Sequence, residues 1–170
     1  MSNIKKKSRK RELKGAEEIE GKAHPGSGNV WYKKGDFSNE FIFVEDKFTT
    51  KNTYTLTCKT LEKVERQAKE DLKIPVLKIG FTNHKQEYAI IRDIYIGKDF
   101  EFSAGMGLFT EYRSIILEAD SLPLMFIRNF SKDNKLIIAI LKFNWGKNGQ
   151  CTYYIIEWQS FIDVIASIFK

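Results

Sequence analysis

Phe41-Ile42-Phe43-Val44-Glu45-Asp46-Lys47-Phe48 decides how this chain reads. Its aromatic and β-branched residues predict a strand. Side chains alternate along a strand, so Glu45 and Lys47 share a face with Phe41 and Phe43, while Asp46 points the other way with Ile42, Val44 and Phe48. A carboxylate and an ammonium on a hydrophobic strand are costly to bury unless they are paired or bound to a cation. Just upstream, Lys34-Gly35-Asp36 supplies a second carboxylate. Two acids beside one lysine can hold a hard divalent cation and activate a water. The plainer alternatives are a cross-strand ion pair for Glu45 and Lys47 and a turn residue for Asp36.

Upstream of that strand, residues 1–8 read as a basic, mobile arm and residues 9–21 as a helix, with Leu13, Ala16 and Ile19 at helical spacing. At about 100° per residue, Glu12 falls between Ala16 and Ile19 on the apolar stripe, Glu18 falls on the solvent side, and Glu20 lies near the stripe at the helix end. A metal site explains an acid in such a stripe; an ordinary helix salt bridge is the alternative. His24-Pro25-Gly26-Ser27-Gly28 breaks the helix. Val30-Trp31-Tyr32 and Asp36-Phe37 predict a short strand or hairpin leading into the strand at 41–48.

Downstream, residues 58–72 predict a helix with Leu61, Val64, Ala68 and Leu72 inward, ended by Ile74-Pro75. Val76–Phe81 and Glu87–Ile96 predict two strands. The order of helix, strands, helix, strands predicts an α/β fold with a mixed β-sheet flanked by helices. Residues 100–170 read as a C-terminal α/β extension packed on this core. It would hold a helix or strand near 110–119, strands near 122–128, 135–144 and 151–158, and a closing helix near 159–169. Leu122-Pro123-Leu124-Met125 resembles Ile74-Pro75-Val76-Leu77, so a partial internal repeat, or a dimerisation element, is an option for this part.

A chain of 170 residues buries one good core. No apolar run is long enough to span a membrane, and the polar, cationic N-terminus is no secretory signal. Cys58 and Cys151 make neither a disulfide framework nor a zinc site, so a reducing cytoplasm is the expected location. The composition, rich in Lys, Ile and Asn, suits an AT-rich genome such as a phage's, which would place the protein in the host cytoplasm. Residues 1–14 carry seven cations and one anion, which accounts for the whole net charge of +6; the remainder balances, 21 basic against 21 acidic. A basic arm on a neutral body suits contact with a phosphate backbone.

Phosphodiester hydrolysis needs an anionic centre neutralised, a water deprotonated and a leaving oxygen stabilised. Carboxylate-bound Mg²⁺ serves these needs, and Mn²⁺ is the expected substitute. Asp36 and Glu45 are the main candidate ligands, with the backbone carbonyl of Asp46 as a third and Glu12 reaching from the helix. Lys47 would orient or deprotonate the attacking water and offset transition-state charge. Ser27, between two glycines, can offer a hydroxyl and backbone N–H groups to a phosphate. Lys33, Lys34, Thr49, Thr50 and Lys51 flank the acids, and Lys10 and Arg11 belong to the basic N-terminal region; these are the candidate backbone contacts.

The arrangement Glu12, Asp36, Glu45-x-Lys47 resembles the PD-(D/E)xK nuclease superfamily. Within it, Gly21–Gly28, Lys34-Gly35-Asp36, Glu45–Thr50, Leu61-Glu62-Lys63 and Ile74–Ile79 resemble phage and archaeal-type Holliday junction resolvases. The resemblance spans residues 9–96; it implies a restriction-endonuclease-like core over residues 9–99, a homodimer with two sites, and nicking of opposed strands in branched DNA. Gly35 stands where a proline is usual. The helix acid has neighbours in Glu17, Glu18 and Glu20; its spacing to the glycine-rich turn and its inward phase favour Glu12. Two further readings stay open: a nicking or restriction-like nuclease on duplex or flap DNA, and a non-catalytic nucleic-acid-binding protein with a degenerate nuclease fold.

Overall fold

A computed structural model describes residues 3–24, 35–82, 84–96, 102–110, 114–119, 136–144 and 150–168. The chain runs α1 (Asn3–Glu18), β1 (Lys22–Ala23), β2 (Phe37–Ser38), β3 (Ile42–Thr49), β4 (Thr53–Thr57), α2 (Cys58–Glu70), β5 (Ile74–Phe81) and β6 (Glu87–Arg92). A short 3₁₀ turn, Asp93–Tyr95, follows. Then come β7 (Phe102–Thr110), β8 (Ser114–Glu118), β9 (Leu136–Asn144), β10 (Gln150–Glu157) and α3 (Trp158–Ile168).

One eight-stranded sheet, ordered β1-β2-β3-β5-β6-β10-β9-β7, carries the fold, and β4 and β8 form a separate antiparallel ribbon. The sheet is mixed: β3 pairs β5 in parallel and β7 pairs β9 in parallel, while the other pairs run antiparallel. Parallel neighbours need a crossover, and α2 supplies the one from β3 to β5. The expected α/β class with a mixed sheet and flanking helices is therefore what the chain adopts.

Each face of the sheet is covered. On one side, α2 buries Cys58, Leu61, Val64 and Ala68 against Phe43, Leu77 and Ile79. On the other side, Ala16 and Ile19 of α1 and Trp158 and Phe161 of α3 meet Phe37, Ile42, Val44 and Val76. Central strands covered on both faces read as near-continuous apolar runs, and residues 42–45 of β3 are buried without a break. The expected alternation holds: Phe43 belongs to the α2 side and Ile42 and Val44 to the other.

Several expectations change. Helix α1 begins at Asn3, earlier than the expected start at residue 9, so residues 3–8 are helical. Leu13, expected inward, is 52% exposed, and Glu18, expected in solvent, is turned inward onto the Trp158 indole. Leu72, also expected inward, is 93% exposed. Its φ of 55° marks a left-handed residue just beyond α2, and the next N–H, that of Lys73, closes on the Ala68 carbonyl at 2.9 Å. This is the C-terminal cap geometry usually given to glycine, and it aims Leu72 outward.

The C-terminal part joins the same sheet. Tyr153 faces Arg92 and Ile155 faces Ile90 across β10 and β6, so Phe143, Tyr153 and Ile155 share a core cluster with Phe43 and Leu77. The segment read as helix or strand near 110–119 is the strand β8. The strands expected at Val30–Tyr32 and near 122–128, the turn containing Ser27, and Lys33 and Lys34 lie outside the described residues. Among the described residues, no helix is long and apolar enough to cross a membrane.

Candidate active site

Gly35 sets the geometry of the site. Its φ is +77°, a conformation that glycine adopts freely and proline, fixed near −65°, cannot. A Cβ at this position would also meet the Phe43 ring at 2.6 Å. A glycine at position 35 is thus what this backbone requires. The turn delivers Asp36 to the strand ladder, where its N–H donates to the Val44 carbonyl at 2.9 Å. The register pairs Phe37 with Val44, so Asp36 sits just ahead of the first paired residue of β2. The Asp46 backbone N–H then donates to Asp36 Oδ2 at 2.7 Å and holds that carboxylate beside β3.

Glu45 is buried, 6% exposed, on the α2 side of the sheet. Lys47 Nζ approaches its Oε1 to 2.6 Å, and Lys63 Nζ of α2 approaches the same oxygen to 3.3 Å. Burial disfavours the Lys47 ammonium, but the hydrogen bond and charge of Glu45, and then the charge of Asp36, outweigh it and hold its pKa above the ordinary lysine value. Burial pushes the nearby Tyr54 hydroxyl up as well. The structure therefore brings the charges of Glu45 and Asp36 to bear on Lys47 beside the middle of β3.

Glu12 sits elsewhere in the contact network. Its carboxylate accepts from Arg9 Nη1 at 3.0 Å and from Ser8 Oγ at 3.1 Å. Arg9 Nη1 also donates to the His24 carbonyl, and the His24 N–H donates to the carbonyl of Asp36. Among the described contacts, Glu12 reaches the Asp36 end of the sheet through Arg9 and His24. Of the other helix acids, Glu17 and Glu20 are exposed; Glu18 accepts from Trp158 Nε1 at 2.6 Å and pairs with Lys14 and Lys78.

Two expected site residues belong to an anchor on the opposite face. Asp46 takes both Arg11 Nη2 at 2.8 Å and Arg11 Nε at 3.2 Å. Arg11 also pairs with Glu87 at 2.6 Å and lies 3.9 Å over the Phe48 ring. The Asp46 side chain is turned from the candidate site, and Arg11 is turned from solvent, because each is the other's counter-charge. The same anchor contains Lys78, 2% exposed in mid-sheet, paired to Glu87 at 2.7 Å and 4.4 Å over the Trp158 ring. Sequence reasoning passed over Lys78; the signal was a lysine inside the apolar strand Ile74–Phe81, which must find a partner. Lys10, Thr50 and Lys51 are exposed, while Thr49 is half-buried and takes the Lys51 N–H on its hydroxyl.

Among the described residues, no three His, Cys, Asp or Glu side chains are grouped to hold a metal. Mg²⁺ usually takes one or two carboxylates and fills its remaining positions with water and substrate phosphate; Asp36 and Glu45 are the two carboxylates whose charges act on Lys47. Compared with known proteins, the chain matches no protein-family model, no curated protein and no solved structure.

Proposed function

We propose that this protein is a Mg²⁺-dependent DNA endonuclease, selective for branched DNA in the manner of a Holliday junction resolvase, on a restriction-endonuclease-like core. One observation carries the reading: Lys47 is hydrogen-bonded to the buried Glu45 and also feels the charge of Asp36, whose carboxylate is held on the Asp46 N–H of the same strand. Asp36 and Glu45 would hold the ion. When bound, Mg²⁺ supplies charge neutralisation at the phosphate and a more acidic water. Lys47 places an ammonium next to the carboxylates, where it can orient water and offset charge that develops on the phosphoryl oxygens. Asp46 holds Asp36 through its backbone N–H. Glu12 would serve the site indirectly, through Arg9 and His24. Action as a homodimer on opposed strands belongs to the same proposal.

The test is cleavage of a labelled four-way junction beside matched duplex, with Mg²⁺ and with EDTA. The expected result is metal-dependent cutting of the junction, at least 10²-fold weaker in Lys47→Ala and Asp36→Asn, with junction binding retained. Equal cutting of duplex would replace the resolvase reading with a nicking or restriction-like nuclease. Binding without cleavage in Mg²⁺ and Mn²⁺ would favour the non-catalytic binding protein, for which one feature speaks: Glu45 is already matched by two lysines.

A further inference from the structure

The site opens into a cleft of about 550 Å³ between the β3–β4 segment and α2. Its described walls carry four cations, Lys47, Lys59, Lys63 and Arg66, against two carboxylates, Glu45 and Glu62. Lys47 and Lys63 both lean on Glu45. Lys59 and Arg66 are exposed, and no described ion pair engages them.

The positions on α2 are ordered. At about 100° per residue, Lys59, Lys63 and Arg66 fall within about 60° of one another and span about 10 Å along the axis. The face they leave is fixed from behind. Cys58, Leu61, Val64 and Ala68 are buried, and Glu65 accepts from Tyr153 Oη at 2.5 Å and from Arg92 Nη1 at 3.1 Å. These tethers to β10 and β6 set the roll of the helix, so the cationic row faces the cleft. Thr57 caps the start of the helix and lines the same cleft with Thr60.

Resting on the reading of the site as a phosphodiester-cleaving centre, we propose that α2 is a phosphate track. Lys59, Lys63 and Arg66 hold successive backbone phosphates of the strand whose scissile bond lies at Asp36, Glu45 and Lys47. Contacts of this kind position the strand without reading its sequence. They assign DNA binding to a surface separate from the basic N-terminal helix.

The experiment measures binding of the whole chain to a labelled four-way DNA junction in EDTA, so that no cutting intervenes, across a salt series. Lys59→Gln/Arg66→Gln is compared with Lys69→Gln/Lys85→Gln, two exposed lysines outside the cleft, after melts show that both variants fold. Each phosphate contact contributes about 0.9 to the slope of log K against log salt. The track variant should therefore lose roughly 1.5–2 from that slope, and the control should lose clearly less. An unchanged slope, an equal loss in both variants, or no binding by the wild type would each overturn the track. Because no cleavage is read, the two proposals fail separately. Loss of slope in a protein that never cuts with Mg²⁺ keeps the track and removes the nuclease; cutting with an unchanged slope does the reverse.

Discussion

Gly35 ties backbone conformation to chemistry at a single residue. With φ at +77° and the Phe43 ring against it, alanine there meets both an unfavourable left-handed conformation and a steric clash. Gly35→Ala should cost about 1–3 kcal/mol of stability, read from denaturant midpoints. It should also shift Asp36 from its seat on the Asp46 N–H. A midpoint matching wild type would show that the turn does not depend on the glycine. Residue-scale legibility was uneven for physical reasons. Glu45, Lys47 and Asp46 were readable because strand alternation is strict and β3 is covered on both faces. Asp36 was readable as an acid close in sequence, but its seat on the Asp46 N–H depends on the Gly35 turn. Glu12, Glu17, Glu18 and Glu20 were not separable, because a helix offers acids at every angle and only tertiary partners choose among them.

At the scale of elements, the clamp between α1 and the sheet governs. The buried side of α1 runs along Arg11, Gly15, Ala16, Glu18 and Ile19. It is turned by most of one residue's step of roughly 100° from the stripe that Leu13, Ala16 and Ile19 suggest. The cause is Lys78: a buried ammonium in β5 draws Glu18 and Glu87, and Arg11 completes the set through Glu87 and Asp46. Gly15 then accepts the Phe37 ring, whose atoms a Cβ there would meet at 2.5 Å. A charged network outweighing an apolar stripe is hard to see in one segment, since three of its five members come from strands. Burial alone would raise the Glu87 pKa, but the charges and hydrogen bonds of Lys78 and Arg11 outweigh it and hold it below the ordinary glutamate value. A depressed acid contributes stability above its unfolded pKa and loses it as pH falls through the folded one. Glu87→Gln should thus cost on the order of 3 kcal/mol at neutral pH. The gap to wild type should close as pH drops below the ordinary glutamate range, in paired thermal melts. A gap independent of pH would show that the carboxylate's charge contributes nothing.

For the molecule as a whole, the sheet does not divide near residue 99. β10 lies between β6 and β9, and the α2-side cluster draws on both halves of the chain. A fragment ending at residue 99 would turn β6 into an open edge and uncover Tyr88 and Ile90, both buried in the whole chain. Such an edge is an invitation to aggregate. The fragment should show no cooperative melt and should associate, as circular dichroism and light scattering would report; a monomeric fragment with a sharp transition would establish two separable units. The strand β7 escaped sequence reading because Phe102–Thr110 includes Gly105 and Gly107 and its pairing shifts register between Ala104 and Gly107, which blurs any period of two.

Strand β3 has a parity. Even-numbered Asp46 faces the helix that anchors the sheet, and odd-numbered Glu45 and Lys47 face the cleft. Substitutions on either side can accumulate independently, but inserting or deleting one residue before Glu45 would exchange the two sides at once. The anchoring arginine would then meet the pair meant for the cleft, and the cleft would receive a lone aspartate. This stretch of chain can therefore change its letters but not its count.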